Sequence, residues 1–234
     1  MLSLEHIGAL ITLTAMEIVL GIDNIVFIAI LVGRVSEKDR AKIRSAGIMI
    51  ALLARVGLLF SIAWVMGLTA TLFTIFGHSF SGRDIILILG GLFLIGKSTI
   101  EIHHKVETHE LHSDSKKQNN SRFILFQIVL LDIVFSLDSV ITAVGMANNI
   151  TIMLIAMIVA MVVMLVSAGK IGNFVDHNPS IKILALAFLL LIGVMLTMEG
   201  MGKEIEKGYI YFAMVFSLGV ELLNMRYRRK KTSP

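Results

Sequence analysis

Two segments carry carboxylates at matching positions inside apolar sequence. Residues 17–30 read EIVLGIDNIVFIAI and residues 132–145 read DIVFSLDSVITAVG. Glu17 corresponds to Asp132 and Asp23 to Asp138, each pair 115 positions apart, and Asn24 corresponds to Ser139 at the same offset. An ionisable side chain inside a membrane-spanning segment is costly and is a functional candidate by default. A matched pair of such segments points to one site built twice. If the two segments cross, four carboxylates and two neutral oxygen donors converge, and four unpaired negative charges cannot all remain ionised together. Protons or cations must neutralise them. An all-oxygen donor set suits hard cations, Mg²⁺, Mn²⁺ or Ca²⁺. With no cysteine in the chain, thiolate metal sites, disulfides and cysteine nucleophiles are excluded, although the compartment is not identified by that absence.

Helical spacing sorts these residues. Glu17 and Asn24 are seven apart and share a helix face, as do Asp132 and Ser139. Asp23 lies roughly 120° away from Glu17 on a regular helix. A local unwinding at Gly21, and at its counterpart Ser136, is therefore expected, turning Asp23 and Asp138 inward and freeing carbonyls as ligands. Broken helices are tolerated at membrane depth where they line a protein cavity.

The elements that position these residues are membrane spans. Of 234 residues, 56% are hydrophobic and 16% charged, with mean hydropathy +0.85, against about 25% charged residues in soluble domains. Spans of about 20 apolar residues are expected at 7–33, 45–68, 85–102, 122–147, 150–169, 182–199 and 208–225. The N-terminal MLSLEH lacks a basic region, so the first apolar run is expected to be a span and not a cleaved signal peptide.

Basic residues set the orientation. Arg34, Lys38, Arg40, Lys42, Arg44, Lys105, Lys116, Lys117, Arg122, Lys170, Lys182, Arg226, Arg228, Arg229, Lys230 and Lys231 fall on one side, and only Arg83, Lys203 and Lys207 on the other. The N-terminus is then outside and the C-terminus cytoplasmic. The net charge of +4 is a topology signal and implies no nucleic acid. Three spans separate the two motifs, so the second half enters the membrane from the opposite side. The expected fold class is an all-α polytopic membrane protein of seven transmembrane helices, a 3+3 inverted repeat plus one helix, an architecture that recurs in transporters. The chain forms a single transmembrane domain: a first repeat over 1–103, a cytoplasmic loop over 104–121, a second repeat over 122–203, and the seventh helix with a basic tail over 204–234. Leu94-Ile95-Gly96 in the third span echoes Leu191-Ile192-Gly193 in the sixth.

Other residues are weighed against blander roles. Arg55 and Lys97 fall inside spans. They are candidates for charge balance or coupling, tethering a carboxylate or replacing the cation when the site is empty. Simple interhelical pairing is the alternative, but four acids against two bases leave a deficit. Glu221, with Asn224 near the basic tail, is a gating candidate or an interfacial partner of Arg226 or Arg228. His103, His104, His109 and His112 match no closed metal site and are read as a solvated loop. Asp176-His177-Asn178-Pro179 is a turn. Met16 and Met146 lie near the motifs and are read as packing residues.

The paired motifs, together with GYIYFAMVFSLGVELLN at 208–224, resemble the TerC family of bacterial inner-membrane proteins over essentially the whole chain, 7–224. The resemblance implies an inner-membrane location and Mn²⁺ efflux, with Glu17, Asp23, Asp132 and Asp138 as core site residues and Asn24 and Ser139 as adjacent polar positions. Larger members append cytoplasmic regulatory domains, which this short form is expected to lack. The expectation is an alternating-access exporter of a divalent cation, with no prosthetic cofactor, the lipid bilayer as its setting, protons as a candidate counter-ion, and a homo-oligomer left open. Two rivals stand beside it: a non-transporting partner in membrane assembly or metallation, and an intramembrane aspartyl hydrolase with Asp23 and Asp138 as a dyad. The second leaves Glu17 and Asp132 without a purpose.

Overall fold

A computed structural model describes residues 4–33, 35–75, 77–107, 121–146, 150–203 and 205–232. Long apolar stretches without internal proline form long helices, because a bilayer leaves backbone N–H and C=O groups no partner outside the segment. They are α1 (Leu4–Val32), α2 (Glu37–Phe60), α4 (Gly82–Glu107), α5 (Ser121–Met146), α6 (Ile150–His177), α7 (Pro179–Gly200) and α8 (Lys207–Thr232), with one short helix, α3 (Ile62–Gly67). Among the described residues, five segments are long and apolar enough to cross a membrane: Lys38–Phe60, Gly82–Val106, Thr151–His177, Pro179–Gly200 and Lys207–Arg228. The fold is a mostly helical, polytopic membrane protein.

Three details differ from the sequence expectation. The run 45–68 is not one helix: α2 ends at Phe60, Ser61 turns with its N–H on the Gly57 carbonyl at 2.9 Å, and α3 follows. An antiparallel hairpin, β1 (Thr71–Ile75) and β2 (His78–Ser81), then leads into α4, so the chain is not wholly helical. Gly77 at φ 81° supplies the left-handed turn residue, and the Phe73 and Phe80 rings stack 5.4 Å apart. Lys170 belongs to α6 and not to a loop. At 28 residues, α6 is about 42 Å long and outreaches a hydrocarbon core of about 30 Å.

The helix ends are closed by recognisable devices. Ser81 and Asp84 form a reciprocal cap at the start of α4: the Ser81 N–H donates to Asp84 Oδ2 at 2.8 Å, and the Asp84 N–H to Ser81 Oγ at 3.3 Å. The turn at 176–179 is present, with Asn178 before α7 and Pro179 at its start. Gly202, at φ 76°, ends α7: its N–H donates to the Glu199 carbonyl at 2.9 Å, and the Lys203 N–H to the Met198 carbonyl at 2.9 Å.

Three helix pairs dominate the packing: α1 on α6, α2 on α5, and α4 on α7. The α4–α7 pair approaches closely because glycines face each other. A Cβ on Gly193 would stand 2.8 Å from the Gly91 carbonyl oxygen, and one on Gly200 2.6 Å from the Asp84 carbonyl oxygen. Small residues of this kind let helix backbones meet inside a membrane, where apolar burial gives no net drive to associate. Gly193→Val should therefore separate the pair, because backbone cannot move aside as a side chain can. The expected cost is about 1–3 kcal/mol, read as a lowered unfolding temperature in detergent. Gly57→Ala, where a Cβ meets open space, should leave that temperature unchanged.

Candidate functional site

Glu17 lies 13 residues into α1 and Asp132 11 residues into α5, about 20 and 17 Å along their helices. Both are near mid-helix and both are buried, at 8% and 5% exposure. They meet across one cation. Arg55, from the C-terminal half of α2 and only 2% exposed, donates from Nη1 to Glu17 Oε2 at 2.7 Å and from Nη2 to Asp132 Oδ1 at 3.0 Å. Its Nε–H reaches Asp132 Oδ1 and Oδ2 at 3.2 and 3.3 Å. A planar guanidinium suits this task, because its fork addresses one carboxylate with two nitrogens and leaves a third for another.

Two neutral side chains complete the shell around Asp132. Asn24 Nδ2 donates to its Oδ1 at 3.2 Å, and Ser136 Oγ to its Oδ2 at 3.2 Å. Glu17 and Asn24 thus serve one cluster from one face of α1, seven residues apart. The same cluster joins α1, α2 and α5, so it ties the two motifs together. One guanidinium between two carboxylates leaves this trio one negative charge in excess when all are ionised.

The unwinding expected at Gly21 and Ser136 is absent. α1 runs as helix through Gly21, and α5 through Ser136. Gly21 is small for another reason: a Cβ there would collide with the Met164 thioether of α6, so the glycine admits a neighbouring helix. Ser136 donates its hydroxyl to Asp132, one turn back. Asp23, Asp138 and Ser139 lie within the α1 and α5 helices, and their side chains are outside the described ones. Among the described residues, no group of three or more His, Asp or Glu side chains is placed to hold a metal ion.

The remaining candidates fall elsewhere. Lys97 pairs with Glu101, one turn along its own helix, at 3.2 Å. Glu221 accepts from Asn224 at 3.5 Å within α8, which packs on α7 and exposes the flanking Leu222 and Leu223. That position is peripheral and not central. His103 and His104 are exposed in the last turns of α4, while His109 and His112 lie outside the described residues.

Ion pairs at the two ends of the bundle were not anticipated from sequence. At one end, Arg83 of α4 pairs with Glu199 of α7, and Lys207 approaches the same carboxylate at 3.9 Å. At the other, Lys182 pairs with Asp176 at 3.2 Å beside Gly33, and Arg40 donates to the Gly33 and Val35 carbonyls that end α1. The sequence held one signal for these contacts: charges immediately flanking apolar runs on a common side.

Long apolar helices around a buried arginine–carboxylate centre define a polytopic integral membrane protein. The chain belongs to the TerC family of integral membrane proteins, whose family model matches residues 2–233. It is 54% identical over 223 residues to a UPF0053 protein of Haemophilus influenzae, covering 94% of each chain. It is 51% identical over 225 residues to the UPF0053 inner membrane protein YgdQ of Escherichia coli K12, covering 95% of this chain and 93% of that protein. It is 48% identical over 223 residues to the UPF0053 inner membrane protein YoaE of the same organism, covering 95% of this chain but 43% of YoaE. No solved structure matches the chain.

Removing Arg55 alone leaves two buried carboxylates facing each other. Arg55→Ala should lose about 3–5 kcal/mol of stability, the usual cost of breaking a buried pair from one side. Arg55→Ala combined with Glu17→Gln should recover part of that loss. Thermal unfolding in detergent, without added divalent cations, measures both.

Proposed function

We propose that this chain is an inner-membrane exporter of a divalent cation, with Mn²⁺ as the expected cargo, and not an enzyme. The observation that carries the reading is the convergence of Glu17 and Asp132, the equivalent acids of the two motifs, on a single buried cation. A centre that accommodates positive charge between the two halves is what a cation carrier requires at the middle of its path. Oxygen donors from Glu17, Asp132, Asn24 and Ser136, with Asp23, Asp138 and Ser139 on the same helices, form a hard-cation set. Arg55 is then the charge-balancing group of the state without cargo.

The helix pairing supports a seven-span inverted repeat. Exchanging the first three long helices with the next three converts the α1–α6 pair into the α5–α2 pair and leaves α4–α7 unchanged. Basic residues gathered at one end support an outside N-terminus and a cytoplasmic C-terminus, and relatives named as inner membrane proteins support the location. Cargo enters from the cytoplasm, the halves rock about the α4–α7 contact, and protons returning to the carboxylates reset the carrier. A second reading, a non-transporting partner in membrane assembly or metal supply, draws on the hydrogen bonds that already occupy Asp132.

Cells making the chain as their sole Mn²⁺ export route should survive excess Mn²⁺ and hold less of it. Asp132→Asn and Asp138→Asn should abolish protection, with cell Mn²⁺ rising several-fold by elemental analysis. Protection equal to wild type in both variants would overturn the central site. Purified protein that moves no Mn²⁺ in proteoliposomes, while cells depend on a second protein, would favour the partner reading.

A further inference from the structure

Resting on the exporter reading, we infer that Arg55 is a tethered competitor for the cargo position and sets a valence threshold, so that divalent cations enter and monovalent ones do not. Both oxygens of Asp132 and one oxygen of Glu17 are already occupied by hydrogen bonds. Asp132 Oδ1 accepts from Arg55 Nε and Nη2 and from Asn24 Nδ2; Oδ2 accepts from Ser136 and Arg55 Nε; Glu17 Oε2 holds Arg55 Nη1 at 2.7 Å. A cation that uses these oxygens must make the guanidinium withdraw.

The exchange is asymmetric in charge. A monovalent ion that replaces Arg55 restores the same single positive charge, gives up the directional N–H contacts, and sheds its own water. Nothing drives that exchange. A divalent ion brings one further positive charge to two carboxylates in a site almost closed to water, where Coulomb attraction is screened far less than in solution. It takes the pair of acids from a net excess of one negative charge to neutrality. Arginine, and not lysine, fits the role because it remains charged throughout and holds both acids at once. Selectivity thus resides in the occupant that must be displaced as well as in the ligands that receive the ion. A tether also makes the competition intramolecular, with a high effective concentration.

The test uses purified full-length protein in detergent and two probes, Mn²⁺ by calorimetric titration and Tl⁺ by equilibrium dialysis. Wild type should bind Mn²⁺ and exclude Tl⁺. Arg55→Gln should bind Mn²⁺ tighter by about tenfold or more, the loss of an intramolecular competitor, and should also bind Tl⁺. Arg55→Lys, which keeps the charge with fewer contacts, should bind Mn²⁺ more tightly than wild type and still exclude Tl⁺. If Arg55→Gln does not fold, Arg55→Lys decides by its Mn²⁺ affinity. A purely structural arginine predicts weaker or unchanged Mn²⁺ binding in the folded variants, and that result overturns the valence threshold while leaving the exporter reading in place. Folded wild type and variants that all fail to bind Mn²⁺ would overturn both.

Discussion

The pairing of one guanidinium with two carboxylates, deep in an apolar bundle, is the constraint on which the rest of the structure depends. A single buried charge in such surroundings carries a desolvation cost of several kcal/mol. Arg55, Glu17 and Asp132 are each acceptable only because the others are within hydrogen-bond reach. That requirement holds three helices in register. α1 must present Glu17, α2 Arg55 and α5 Asp132 at one depth, and Asn24 and Ser136 satisfy the directions the guanidinium does not reach. A shift of any of the three by one turn would leave a buried charge alone.

Around this polar centre, close packing is achieved by removing side chains. Gly21 makes room for Met164, Gly90 for Val134, and Gly91 and Gly193 for each other's backbone. In a bilayer these approaches supply dispersion contacts that apolar burial would supply in water. The chain thus combines a polar tie between α1, α2 and α5 with a tightly fitted apolar seam between α4 and α7. The ends are tied separately, by Arg83 with Glu199 and by Lys182 with Asp176.

Much of the fold was legible in the sequence because the bilayer imposes length and composition on each span. The long helices, the turn at Asn178-Pro179 and the matched acids of the two motifs follow from hydropathy, proline and spacing alone. The break at Ser61, the hairpin over 71–81 and the extension of α6 past Lys170 were not legible, because a short polar-and-apolar segment obeys no strong period and a helix does not stop where the membrane does. The centre was half legible. Spacing placed Glu17 and Asn24 on one face, but it left Arg55 and Lys97 as equal candidates for their partner.

Only the tertiary structure separated those two lysine and arginine residues. Arg55 reaches both motif acids because α2 packs on α5, whereas Lys97 lies on a helix packed against α7 and turns to Glu101 of its own chain segment. It also reassigned Gly21 and Ser136, from sites of unwinding to a packing contact and a hydrogen-bond donor. Sequence by itself determined that charges are buried, since their position within apolar runs is a local property of the chain. Which charges meet is a property of helix packing between segments far apart in sequence, as Arg55 and Asp132 are, 77 residues apart. Hydropathy and spacing carry no record of that distance.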